Sequence, residues 1–210
     1  MAITFPRSLP NLDDIAQIIT RQKTVVGVFE GIFSGIQKVQ KHPFQRWEVE
    51  YTVIPLNRTD MDEWWSWIIS LNGREKTFYG TLQAPNEMKG SAKDYFAPQL
   101  NGDHAVRTGS LSIDSAPTNV TNYLRYGDFI QMGSTTDSRL HMVLENVNTD
   151  GSGEAEFDIW PDLQTGYSDN AAITVDSPLG LFRLMSNVPE IIQDSANTRK
   201  GLRFSAVGVI

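Results

Sequence analysis

The chain has 210 residues and no cysteine. That single absence excludes disulfides, thiolate-bound zinc, iron–sulfur clusters and every cysteine nucleophile, and it makes the fold indifferent to the redox state of its compartment. Long apolar runs are missing too. None approaches the roughly 18 residues that a membrane-crossing helix needs, so no membrane insertion is expected. The opening Met1-Ala-Ile-Thr-Phe-Pro-Arg7 lacks the basic-then-apolar layout of a signal peptide. The expectation is a protein made in a cytoplasm that stays soluble, for which the sequons at Asn57 and Asn119 carry no weight. Basic charge is also short: 18 Lys and Arg stand against 25 Asp and Glu, a net charge of −7. The densest basic stretch, Lys38 to Arg46, is followed at once by Glu48 and Glu50 and reads as a solvated loop, not the basic stripe of a nucleic-acid binder.

Chemistry-bearing patterns are equally scarce. The three histidines, His42, His104 and His141, are far apart and form no metal-binding spacing. No nucleophile elbow or phosphate loop occurs. Asn148-Thr-Asp150-Gly-Ser152-Gly153-Glu154 imitates the start of an EF-hand loop, but the twelfth position, where a bidentate glutamate is required, is Ile159. A hairpin turn is the simpler reading. Glu48 and Glu50 share one side of a strand and read as a wet face, not as a glycosidase pair. Trp47, Tyr51 and Trp64 have the spacing of core residues more than of a sugar platform. The expectation is therefore no metal, no cofactor and no catalysis, and a binding or structural subunit.

What is present is an ordinary globular balance, 40% apolar and 20% charged. Thr24–Phe33 is rich in β-branched and aromatic residues and predicts a strand bent at Gly27 and Gly31. Gln45–Pro55 alternates, with Trp47, Val49, Tyr51 and Val53 on one face. The stretch 34–44 reads as the connection between these strands. One helix follows, begun at Thr59, with Asp62 three residues on, and stopped by Asn72-Gly73. On a helical wheel Met61, Trp64, Trp65, Ile68 and Leu71 form one stripe, and Trp67 and Ile69 lie about 100° to either side of its centre. One flat sheet rarely covers so broad an arc. Trp67 and Ile69 are therefore the candidate subunit-interface residues, with Trp67 covered by a folded-back segment such as the N-terminal stretch or by an adjacent subunit. Thr77–Leu82 predicts another strand. Residues 84–109 carry turn chemistry without a period and read as a link. Short strands then follow from Leu111 to Leu184, as in a small barrel or sandwich, before the alternating Leu202–Ile210.

Three stretches give the sequence a resemblance. Trp47-Glu-Val-Glu-Tyr-Thr-Val-Ile-Pro55, the helix 60–71 and Gly73-Arg-Glu-Lys-Thr-Phe-Tyr79 form the first. Leu124-Arg-Tyr-Gly127-Asp128-Phe-Ile, Leu140-His-Met-Val-Leu, Gly153 and Ile159-Trp-Pro161-Asp-Leu form the second. Gly201-Leu-Arg-Phe-Ser-Ala206 is the third. In this order, over about three quarters of the chain, they resemble the distal tail proteins of long-tailed, non-contractile bacteriophages. The resemblance implies a mostly β fold: a β-sandwich with one α-helix (1–83 with 187–210), and a second small β-barrel, OB-like, at 110–186, inserted before the C-terminal strand, with 84–109 as the linking loop. It implies a structural virion protein of the tail tip, assembled in the host cytoplasm. Such a subunit forms a ring with copies of itself, commonly six, and joins the tail-tube protein to the tail-tip hub protein. DNA is only passing cargo, which suits an acidic chain. Fibres or host glycans are further implied partners, and a carbohydrate-binding tail module is the alternative function.

Overall fold

Residues 3–54, 57–83, 88–187 and 201–210 are described by the structure, a computed structural model. In chain order the described elements are β1 (Arg7–Ser8), β2 (Ile15–Glu30), β3 (Gln37–Val53), α1 (Arg58–Ser70), β4 (Thr77–Gly80), β5 (Gln99–Leu100), β6 (Ser110–Asp114), β7 (Phe129–Met132), β8 (Arg139–Val143), β9 (Ala155–Trp160), β10 (Ile173–Thr174), β11 (Gly180–Leu184) and β12 (Leu202–Gly208). They build two six-stranded sheets, ordered β1-β4-β11-β12-β3-β2 and β10-β7-β8-β9-β6-β5. The first curls into a half-barrel and the second closes nearly into a barrel. The fold is thus mostly β with one α-helix and a small barrel, as the sequence pattern and the resemblance imply.

The alternation in β3 places Trp47, Val49, Tyr51 and Val53 on the inner face of the first sheet, all buried. Helix α1 lies against them through Met61, Trp64, Trp67 and Ile68. Asn57, not Thr59, caps this helix: its side-chain oxygen accepts the Asp60 backbone N–H at 3.0 Å. That satisfies one of the free donors of the first turn. Asn72 and Gly73, at φ +51° and +61°, end the helix in the left-handed conformation that the sequence predicts. Between strands and helix, Tyr51 donates its hydroxyl to Thr81 O at 2.6 Å. Full burial raises its pKa well above the ordinary tyrosine value, so it stays a neutral donor.

The barrel has its own core, built from residues such as Leu111, Ile113, Tyr123, Ile130, Phe157 and Leu163. Its charged keystone is Asp128, which is 1% exposed. Its carboxylate accepts three backbone N–H groups, from Lys89 at 2.7 Å, Gly90 at 2.9 Å and Arg125 at 2.8 Å. Those bonds tie the segment after residue 87 to the barrel. The two sheets also meet directly. Trp47 donates its indole N–H to Leu140 O at 3.0 Å and packs edge-on against Trp160 and Phe129.

Three expectations need correction. The link 84–109 is in large part barrel: β5 pairs with β6, and Met88, Ala92 and Leu100 are buried in the barrel core. The boundary at 186 is also displaced, because β11 lies in the first sheet between β4 and β12. The sequence places 181–184 beside barrel strands, and only long-range pairing reveals the return. Finally, 34–44 is mostly strand: β2 and β3 continue as one ladder from Ile15/Val53 out to Glu30/Gln37. The terminal strand β12 does pair with β3 and β11, so the barrel is inserted ahead of it. Residues 188–200, part of the segment assigned with it, lie outside the described residues.

Candidate functional site

The most unusual surface is the outer half of the β2–β3 hairpin. Strand β12 covers β3 only over Glu48–Val53. From Arg46 outward the ribbon is two-stranded, ending in a turn closed by Gly31 N–H to Ile36 O at 3.0 Å and Gly35 N–H to Gly31 O at 2.9 Å. Gly35 sits at φ +63°, a conformation that favours glycine. Thr24, Val25, Val26, Val28 and Val39 give the arm its strand propensity. Among the described residues neither apolar core includes a residue of the arm. A two-stranded ribbon on its own is marginally stable in water.

The arm also gathers exposed apolar side chains. Val25, Val26, Val28, Phe29, Ile32, Phe33, Ile36 and Val39 are 47–102% exposed, eight of the eighteen large exposed hydrophobics among the described residues, within fifteen consecutive positions. Scattered surface apolars are normal, whereas such a concentration marks an interaction surface. The face can be assigned. Val26 pairs with Lys41 and Val28 with Val39, so these four side chains share one side. Lys41 reaches Asp162 of the barrel at 3.0 Å, so that side is turned toward the barrel. The tip residues Ile32 and Phe33, 93% and 102% exposed, project beyond it.

A second feature lies at the root of the arm. A cavity of about 510 Å³ opens between the sheets, lined by Thr20 and Gln22 of β2, Trp47, Leu82, Phe129, Met142, Leu144 and Trp160. Its floor is aromatic and buried, and Leu144, 47% exposed, stands at its rim. The lining comes from both sheets, which is why no local sequence pattern announces it.

The residues singled out from sequence are dispersed. Trp67 is 1% exposed and lies in the core of its own chain. It therefore presents no surface to a neighbour, and the N-terminal segment covers it: its indole N–H donates to Ser8 O at 2.7 Å. Ile69, on the other flank, is 52% exposed. Trp47, Tyr51 and Trp64 are core residues. Glu48 pairs with Lys23, and Glu50 with both Arg21 and Arg203, on the outer face of the sheet. Asp150 closes a turn by accepting the Ser152 and Glu154 backbone N–H groups, which hold its carboxylate below the usual range. Among the described residues no cluster of His, Asp and Glu is arranged to hold a metal ion.

His141 is strongly shifted. It is 1% exposed, and its Nδ1 lies 2.6 Å from Pro161 O, which can only accept, so Nδ1 carries the proton. Burial, with help from the positive charge of Arg139, lowers its pKa to about 4. The unfolded chain, with an ordinary histidine, takes up the proton first as pH falls. The stabilisation is thus complete above about pH 6.5, declines below it, and is gone near pH 4. Over that window the loss is about 3 kcal/mol. Denaturant titrations of parent and His141→Leu at pH 7.5, 6, 5 and 4.5 are expected to diverge, the parent losing the additional stability. Parallel curves would show that the imidazole is not buried neutral.

No family model matches the chain, and no curated protein matches it.

Proposed function

We propose that the protein is a structural subunit that assembles with copies of itself, as the ring-forming distal tail protein of a long-tailed, non-contractile bacteriophage. In this reading six copies form the ring in the virion tail tip, joining the tail-tube protein to the tail-tip hub, and DNA passes through without being held. The observation that carries it is the arm: an apolar two-stranded ribbon held out from a well-packed body. Its eight apolar side chains are 47–102% exposed within fifteen consecutive positions, a concentration that marks an interaction surface. Support also comes from where the family-like stretches lie. Trp47–Val53, α1 and Thr77–Tyr79 make the first unit, Asp128–Ile130 and Ile159–Pro161 belong to the barrel strands and their turn, and Leu202–Ala206 returns to the first sheet.

Mass photometry and negative-stain imaging of the purified protein test this. The parent is expected to form closed multi-subunit particles as concentration rises, without added sugar or metal. Ile32→Asp/Phe33→Asp is expected to remain monomeric with an unchanged melting midpoint, because both side chains are fully solvated in the single chain. A parent that stays monomeric, alone and with tail-tube protein, would defeat the reading.

A further inference from the structure

We propose that the arm tip of one copy (Ile32, Phe33 and Ile36) seats in the apolar cavity between the two sheets of the next copy. This rests on the assembly reading above and names the two surfaces that make the contact. The arm has apolar side chains without a cover, and the cavity has apolar walls without an occupant from the described residues. A volume of about 510 Å³, open at the rim, is comparable with that of a cluster of three such side chains.

The tip does not occupy its own cavity, since Ile32 and Phe33 are 93% and 102% exposed in the single chain. Gln22 lines that cavity and Ile32 is ten residues further along the same strand and turn. At about 3.3 Å per residue the two lie roughly 30 Å apart along a straight ribbon. The occupant must then be another chain, and charge selects a second copy. Residues 21–46 carry five Lys and Arg against one Glu, +4, while residues 88–179 carry five against thirteen Asp and Glu, −8. Three of the arm's cations already pair with carboxylates of their own chain. Lys38, opposite Phe29 near the tip, is the positive charge that the tip brings to this acidic unit of the next copy. Complementary fields of this kind steer and orient association. Tip and cavity are different surfaces, so the contact is head-to-tail; passed from copy to copy, it closes into a ring where the rotation between copies closes and runs on as a filament where it does not.

The cysteine-free chain makes the test direct. Phe33→Cys with Leu144→Cys introduces the only two thiols. On mild oxidation the double variant is expected to give a ladder of covalent multimers on a non-reducing gel, whereas either single variant gives at most a dimer. Leu144→Asp, a rim position with little cost to the fold, is expected to weaken assembly about tenfold or more while leaving the melting midpoint unchanged. Parent rings with no ladder, or with a Leu144→Asp variant that assembles normally, would overturn the cavity and leave the assembly reading standing. A cross-link confined to monomer-sized product would overturn it as well, since the tip would then be reaching its own chain. A monomeric parent would overturn both readings.

Discussion

Removing Leu202–Ile210 is expected to abolish the cooperative unfolding transition seen by tryptophan fluorescence. Strand β12 is central, hydrogen-bonded to β3 on one side and β11 on the other. Without it the first sheet separates into β1-β4-β11 and β3-β2, and both new edges expose unpaired backbone groups. Leu202, Phe204 and Ala206 leave the first core with it, and Phe204 is in ring contact with Tyr51, Trp64, Trp67 and Phe78. All five tryptophans lie in or against that core and none in the barrel core. Fluorescence therefore reports on the first core and, through Trp160 of β9, on its seam with the barrel. Its emission is expected to shift to that of water-exposed indole, while amide protection in β6–β9 persists. Native emission and a native melting curve in the truncated chain would refute the central placement of β12.

How much of this was legible in the sequence depends on whether the information was local. The alternation of Trp47 to Val53, the stripe of α1 and the Asn72-Gly73 stop are periodic or positional signals that one stretch carries by itself, and each element forms where it is expected. The returning half of the outer arm carries no such signal. With both faces in water, residues 37–42 have no apolar–polar alternation to distinguish strand from loop. Residues 88–109 are held by one two-residue strand, one short 3-10 turn and the Asp128 carboxylate, none of which leaves a period. The helix wheel placed Trp67 and Ile69 symmetrically about the core stripe, and a wheel cannot say which flank is covered. The deciding contact comes from Ser8, 59 residues away. The cavity is less legible still, since its walls join positions from Thr20 to Trp160.

Trp67→Ala is expected to cost about 3–5 kcal/mol of fold stability, the range for emptying a buried aromatic site. The indole is 1% exposed, with ring centroids 5.0 Å from Phe78 and 5.8 Å from both Trp64 and Phe204. Three rings cannot all move into the space it leaves without losing contacts of their own, so most of the cavity penalty remains. The substitution also strips Ser8 O of its hydrogen-bond donor, adding about 1 kcal/mol if that carbonyl finds no water. Parallel β1–β4 pairing, through Arg7 with Phe78 and Ser8 with Tyr79, then loses the side chain that holds it against α1. Ile69→Ala is the control: on the other flank and half exposed, it is expected to change stability by no more than about 0.5 kcal/mol. Urea denaturation of the two variants separates the flanks. Trp67→Ala should shift the midpoint strongly at constant slope, and a loss below about 1 kcal/mol would mean that the N-terminal segment does not close over this indole in solution.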